Sequence, residues 1–258
     1  MTRDLRALLN SEETTLGTWS QIVAPEIVDL IGLNGFAFTI IDCEHGAFGV
    51  REAENLARAA DANGLAVALR VPRNDPVEIM KALDAGIPHV VAPSVETAEA
   101  AALAVAATRF QPDGLRGACP CCRSGGHFIR NWRDYAAAED ERTGAIALVE
   151  TEAGYRDIEA IVATEGLSAL MVGPFDLSVS MGLQGDWRAP AVLDAVEAMI
   201  RAATREGLPT IMPVFSPDPE ECRELQARWR EAGATSFVVG SDKIIVADAF
   251  ARWTEALA

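Results

Sequence analysis

The chain has 258 residues, half of them hydrophobic and 23% charged, with 22 Lys plus Arg against 38 Asp plus Glu and a formal net charge of −16. That balance suits a globular protein with a sizeable core and excludes wholesale disorder. No apolar run approaches the ~18 residues of a membrane span, and so acidic a body repels nucleic acid and anionic membranes.

Short β-rich runs alternate with longer helical ones. Strands are predicted at 16–20, 36–42, 66–70, 89–93, 145–150, 169–173, 210–215 and 236–240. Several are near-continuous apolar runs, which suit parallel strands covered on both faces. Helices are predicted at 51–63, 76–85, 96–109, 155–164, 191–206 and 219–232, and many end in a glycine just before the next strand, as at Gly64, Gly86 and Gly233. Glycine past a helix end takes the left-handed cap conformation without strain. Eight strand–helix units in about 250 residues predict an α/β fold, one (β/α)8 barrel domain over residues 1–258. The alternative, an open doubly wound sheet binding a dinucleotide, lacks the glycine-rich turn after its first strand, where Gln21-Ile-Val-Ala-Pro-Glu stands instead.

One connection breaks the rhythm. Residues 111–127, including Ala118-Cys-Pro-Cys-Cys-Arg123, are too long and glycine-rich for a simple turn and read as a functional or mobile loop, followed by a short extra helix at 128–140. The five cysteines are Cys43, Cys119, Cys121, Cys122 and Cys222. The N-terminus mixes acidic and basic residues with no apolar stretch behind it, so a cytoplasmic protein with reduced thiols is expected. Cys119–Cys122 with His127 reads either as a soft-metal site or as a loop with incidental thiols.

In a barrel, reactive groups project from the C-terminal strand ends. Those ends carry Asp42, Glu44 and His45; Arg70; Glu150; and Asp176. Glu150 and Asp176 end adjacent predicted strands. They are either ligands for a hard divalent cation or two solvated carboxylates. His45 is either a proton carrier or a structural histidine bonded to Asp42. Arg70 either offers a fork of donors to a small anion or is locked in a buried pair with Asp42 or Glu44. Only two of the 22 basic residues are lysines, Lys81 and Lys243. That disfavours any mechanism built on a lysine amine, such as a Schiff base with the substrate.

The run Leu16-Gly-Thr-Trp19, then Asp42-x-Glu-His45-Gly, Leu69-Arg70-Val-Pro, Leu83-Asp84-Ala-Gly, Gly114-Leu-Arg-Gly117, Val149-Glu150-Thr and Gly173-Pro-Phe-Asp176-Leu-Ser resembles the HpcH/HpaI aldolase family over nearly the whole chain. The resemblance implies a metal-dependent class II pyruvate aldolase acting on a 4-hydroxy-2-oxo acid through a metal-stabilised enolate. It implies Mg²⁺ or Mn²⁺, with Co²⁺ a further candidate, on Glu150 and Asp176, and neither a nucleotide nor pyridoxal phosphate. It further implies His45 as general base, Arg70 as stabiliser of the enolate, and Asp84 as a carboxylate reaching the histidine of a neighbouring subunit. Gly173, Pro174, Phe175 and Asp176 would hold the keto-acid end, and Asp42, Glu44 and Trp19 are further candidates. A homohexamer, as a trimer of dimers or a dimer of trimers, is expected, with the last helix, roughly 245–257, exchanged between subunits. Two departures stand out: Leu148 occupies the place where many members carry a substrate-contacting Gln, and the cysteine loop differs in a region expected to border the aldehyde pocket. Two other readings remain open. One is a Claisen-type enzyme on the same barrel, like citrate lyase, malyl-CoA lyase or a citrate-forming synthase, with Arg123, Arg130 and Arg133 as a basic rim. The other is a non-catalytic binding barrel.

Overall fold

In a computed structural model, which describes residues 4–216 and 218–258, eight parallel strands close into a barrel in chain order. They are β1 (Thr15–Ser20), β2 (Phe38–Asp42), β3 (Ala66–Arg70), β4 (His89–Ala92), β5 (Gly144–Val149), β6 (Leu167–Val172), β7 (Thr210–Val214) and β8 (Ser236–Ser241). The helices are α1 (Leu5–Leu9), α2 (Pro25–Leu33), α3 (Val50–Ala62), α4 (Pro76–Asp84), α5 (Ala98–Thr108), α6 (Trp132–Arg142), α7 (Glu152–Arg156), α8 (Ile158–Val162), α9 (Pro174–Ser180), α10 (Pro190–Arg205), α11 (Pro219–Ala232) and α12 (Asp242–Leu257). The predicted barrel and all eight strands are present, with ends shifted by one or two residues. Among the described residues, no helix is long and apolar enough to cross a membrane.

Strand parity sorts the core into two layers. Phe38, Ile40, Ala66, Ala68, Val91, Ile146, Leu148, Ala169, Met171, Ile211 and Val238 fill the barrel interior. The intervening residues, such as Ile41, Val67, Leu69, Val90, Ala147, Leu170 and Phe237, pack outward against the helices. Gly17 has a packing reason: a Cβ there would sit 2.4 Å from the Phe38 ring, which fills the interior at that level. Below, Leu5 and Leu9 of α1 join the interior cluster and plug the N-terminal end of the barrel. His89 opens β4 at that end, fully buried.

Helix starts follow local chemistry. Asp75 accepts the N–H groups of Val77 and Glu78, with Pro76 in the first turn of α4, and Asp218 and Pro219 repeat the device at α11. The left-handed caps occur as expected, with φ of +63° at Gly64 and +120° at Gly233.

Three expected helix boundaries need correction. The helix predicted at 155–164 is two short ones, α7 and α8, interrupted at Asp157, whose carboxylate accepts the N–H of Ala98 at the start of α5. The helix predicted at 128–140 begins at Trp132, where Asn131 caps it by accepting the N–H of Asp134. Helices α1, α2 and α9 were not anticipated, and α12 begins at Asp242 because Ser241 caps it. The long loop lies at the N-terminal end of the barrel. It follows α5, which has run down from β4, and Arg123 in it bonds the carbonyl of Ala85 and the carboxylate of Asp61, both at C-terminal ends of helices that lead down to that end.

Candidate active site

The inward series on each strand does not stop at the last apolar layer. Above Phe38 and Ile40 comes Asp42; above Ala66 and Ala68 comes Arg70; above Ile146 and Leu148 comes Glu150. The period of two that builds the core therefore also aims these polar groups into the mouth.

Asp42 and Arg70 are register partners on β2 and β3. Arg70 donates from Nε and Nη2 to the two Asp42 oxygens at 2.9 and 2.7 Å. Its Nη1 lies 3.1 Å from Glu44 Oε2, and its guanidinium stacks over the Trp19 ring at 4.4 Å. Gln21 donates to Asp42 at 2.7 Å, and the backbone N–H groups of Glu44 and His45 donate to the other Asp42 oxygen. Burial opposes ionisation of Asp42, yet Arg70 and Gln21 hold its carboxyl below the usual carboxylate value. Burial likewise opposes the Arg70 charge, and Asp42 and Glu44 hold it above the ordinary arginine value. Arg70 is locked in a buried pair with Asp42, the second of its two readings, while its guanidinium also lines the cavity.

Glu150 follows β5, and Asp176 lies in the first turn of α9. Glu150 Oε1 accepts from the backbone N–H and hydroxyl of Ser94, at 2.9 and 3.1 Å. A Cβ at Gly173 would sit 2.7 Å from the Glu150 Cβ and 3.1 Å from its Oε2, so only glycine leaves the carboxylate where it is. Burial first, and then the charges of Asp176 and Glu44, push the Glu150 carboxyl up. Burial does the same to Glu44. Four carboxylates, Asp42, Glu44, Glu150 and Asp176, thus share one nearby arginine that is already paired. Among the described residues no group of three or more His, Cys, Asp or Glu converges as a ready-made metal cage. Two hard oxygen ligands in a region short of positive charge fit a cation that keeps water or substrate in most of its shell, as Mg²⁺ does.

The cavity holds about 500 Å³ and is lined by Trp19, Gln21, His45, Arg70, Leu148, Glu150, Gly173, Pro174, Phe175 and Asp176 together with a set of apolar residues from β6 to α12. His45 is exposed, and only its backbone N–H bonds Asp42, so the imidazole is not tied down by it. Leu148 is buried at the floor of the cavity. Asp42 and Glu44 stand behind Arg70 rather than in the lining.

Other candidates lie elsewhere. Asp84 ends α4, at the opposite end of the barrel, and pairs with Arg116 at 3.0 Å. The cysteine loop and His127 are at that same end, so within one chain they neither border the cavity nor cover it; the loop sits there because it links a descending helix to α6 and the start of β5. Arg123 is held there too, which removes it from any rim of this chain's cavity. Lys243 is exposed in the first turn of α12 and is not among the lining residues.

Gln21, Ser94, Trp187, Phe215, Trp229 and Asp242 were missed. Asp242, buried, accepts the N–H groups of Gln21 and Ile22 at 2.8 Å each and closes the β1–β8 seam at the mouth. Ser94, a polar residue just past the predicted end of the fourth strand, was available as a signal.

The model of the HpcH/HpaI aldolase/citrate lyase family matches residues 15–249. A 5-keto-4-deoxy-D-glucarate aldolase from Klebsiella pneumoniae is 33% identical over 237 residues, 92% of this chain and 90% of the relative. Among solved structures, an HpcH/HpaI aldolase/citrate lyase family protein from Burkholderia cenocepacia superposes with a TM-score of 0.90 at 30% identity, covering 99% of both chains. The citrate synthase SbnG superposes with a TM-score of 0.83 at 26% identity, covering 98% of this chain and 96% of that one.

Proposed function

The chain belongs to the HpcH/HpaI aldolase/citrate lyase family, and from that premise we propose that it catalyses the reversible aldol cleavage of a 4-hydroxy-2-oxo acid. The products are pyruvate, or a close analogue such as hydroxypyruvate, and an aldehyde. The observation that carries this reading is the convergence of His45, Arg70, Glu150 and Asp176 on one cavity at the C-terminal mouth of the barrel.

In cleavage the bond between C3 and C4 breaks and its electron pair stays with the pyruvate fragment as an enolate. The 4-hydroxyl loses its proton as its oxygen becomes the aldehyde carbonyl. His45, untethered in the mouth, takes that proton and returns it in condensation. Arg70, fixed by Asp42 and backed by Trp19, holds positive charge beside the developing enolate without having to reorganise. Gly173, Pro174 and the backbone amide of Phe175, with Asp176, hold the keto-acid end, and Leu148 closes the floor. A divalent cation on Glu150 and Asp176, Mg²⁺ or Mn²⁺ with Co²⁺ a further candidate, would supply Lewis acidity to the keto-acid oxygens. Ser94 and Gly173 keep the Glu150 carboxylate oriented for that role.

Asp84 acts on a histidine only across a subunit boundary, since in its own chain it faces Arg116 at the far end of the barrel. A homohexamer, as a trimer of dimers or a dimer of trimers, supplies such a boundary. Exchange of α12 between subunits is supported by its surface: Asp242 alone is buried in it, while Phe250, Trp253 and Leu257 are 68–79% exposed. The reading is of one barrel domain in the cytoplasm, acting on small molecules.

A Claisen-type reaction is the second reading, favoured by the likeness to SbnG. The −16 charge disfavours a phosphate-bearing thioester. One plate separates the two. Purified protein with Mn²⁺ and pyruvate is expected to consume pyruvate when an aldehyde is added, and to release no thiol from acetyl-CoA or malyl-CoA. Thiol release without any aldehyde-dependent loss of pyruvate would reverse the order.

A further inference from the structure

The seam between β1 and β8 is irregular at the mouth. Gly17 pairs with Val238 and Trp19 with Ser241, so β8 carries one more residue than β1 across this step. Gly240 takes up the extra length at a φ of +52°, a backbone conformation that favours glycine. The Thr18 hydroxyl donates to the Val239 carbonyl at 2.9 Å and holds the seam there. A bulge at a barrel rim re-aims the residues that follow it. Here it brings the buried Asp242 carboxylate, at the start of α12, against the loop that leaves β1. One oxygen accepts the N–H groups of Gln21 and Ile22 at 2.8 Å each, and the other accepts that of Lys243 at 2.7 Å.

We propose that Asp242 and Gln21 are positioning residues for Arg70, and that α12 is coupled to the site through them. The inference rests on the aldolase reading of the same site, in which Arg70 stabilises the enolate. Gln21 Nε2 donates at 2.7 Å to the same Asp42 oxygen that receives Arg70 Nη2. The remaining bonds to Asp42 come from Arg70 Nε and from the backbone N–H groups of Glu44 and His45. Among the described residues, Gln21 is thus the one side chain besides Arg70 that donates to this carboxylate. Glu44 lies 3.1 Å from Arg70 Nη1 and competes for the guanidinium. With Gln21 in place, Asp42 keeps both oxygens turned to the arginine fork. Without it the carboxylate is free to turn and the guanidinium to shift toward Glu44. A shift of about 1 Å in a group that meets transition-state charge costs on the order of 10²-fold in rate. Asp242 is the buried residue of α12, so this relay is also where that helix is tied to the mouth of its own barrel. Every link, Asp242 to Gln21 to Asp42 to Arg70, is a bond within one chain, and none depends on what a neighbouring subunit adds to the mouth.

The test compares wild type, Q21M, D242N and the double variant, each loaded with Mn²⁺. The readout is exchange of the pyruvate methyl protons in D₂O, which needs the enolate and no aldehyde. Q21M keeps the length of the side chain and removes the donor. D242N turns an amide donor toward backbone N–H groups that need an acceptor. Each single variant is expected to lower the maximal exchange rate roughly tenfold or more, with the KM for pyruvate changed less than about threefold. The double variant is expected to fall no further than the worse single one, since both cut the same relay. In an R70K background, Q21M is expected to cost less than about twofold, a dependence that lost stability alone does not produce. Unchanged exchange in Q21M, losses that multiply in the double variant, or an equal Q21M penalty in both Arg70 backgrounds overturns the inference. Circular dichroism and light scattering check fold and mass. Where D242N does not fold, Q21M in the two Arg70 backgrounds decides the case. A wild-type enzyme that exchanges no protons removes the aldolase reading itself, whereas wild-type exchange that Q21M leaves intact overturns the inference and lets that reading stand.

Discussion

Arg70 and Asp42 face each other across the last rung of the β2–β3 ladder and join through two parallel hydrogen bonds inside the barrel mouth. Removing one partner of a buried ion pair strands the other, at a cost of roughly 3–5 kcal/mol. Asp42→Asn is therefore expected to lower both stability and turnover, the latter on the order of 10²-fold because the guanidinium loses its anchor. Arg70→Lys keeps a charge but not the fork and is expected to lose turnover to a similar degree with a smaller stability loss. Thermal melts beside steady-state kinetics check both. An Asp42→Asn enzyme with wild-type kcat would show that the pair is purely structural.

The charge imbalance around Glu150 has its own consequence. Chelation by EDTA is expected to abolish aldol cleavage, and Mn²⁺ or Mg²⁺ to restore it. Mn²⁺ is also expected to raise Tm, since a cation on Glu150 and Asp176 offsets the burial, and then the repulsion from Asp176 and Glu44, that push the Glu150 carboxyl up. Ser94→Ala, which frees Glu150 to turn, is expected to weaken Mn²⁺ binding about 10–100-fold by calorimetry. Full activity in chelator, with borohydride trapping pyruvate on Lys243, would sink this account.

His45 separates binding from proton transfer. His45→Ala is expected to lose roughly 10²–10⁴ in kcat while pyruvate still binds, because Arg70, Glu150 and Asp176 are untouched. Kinetics on the variant together with a pyruvate titration decide it, and near-wild-type kcat would reduce His45 to a bystander.

Much of this site was legible because one rule serves two purposes. The alternation that marks Ile40 and Ala68 as interior residues also directs Asp42 and Arg70, two positions later, toward the mouth. Residues that reach the cavity by other routes escaped. Trp229 sits on α11 at a helical spacing that reads as ordinary core, and Trp187 and Phe215 lie beyond elements with no polar signature to mark them. The cysteine loop's place after a descending helix already assigns it to the N-terminal end, so within one chain it does not reach the cavity. The division of 155–164 into two helices depends on Asp157 reaching Ala98, a contact distant in sequence that no local pattern records.

His89 carries the last prediction, on pH and stability. It sits in the floor of the barrel, with neither ring nitrogen bonded among the described residues. Burial first, and then the charge of Arg6, push its pKa down to about 4 from an ordinary 6.5. Between those values the unfolded chain binds a proton that the folded chain does not. The stability linked to His89 is therefore whole above pH 6.5 and is lost as pH falls toward 4. At pH 5 the loss is about 2 kcal/mol by this linkage, equivalent to a fall in Tm of roughly 4–8 °C for a chain of this size. His89→Leu removes the titrating group without leaving an unbonded polar atom. It is expected to match or exceed wild-type Tm at pH 7.5 and to fall less steeply toward pH 5, by that amount. Melting curves for the two proteins that run parallel across pH 5–7.5 would place the acid sensitivity in the carboxylates of the mouth instead.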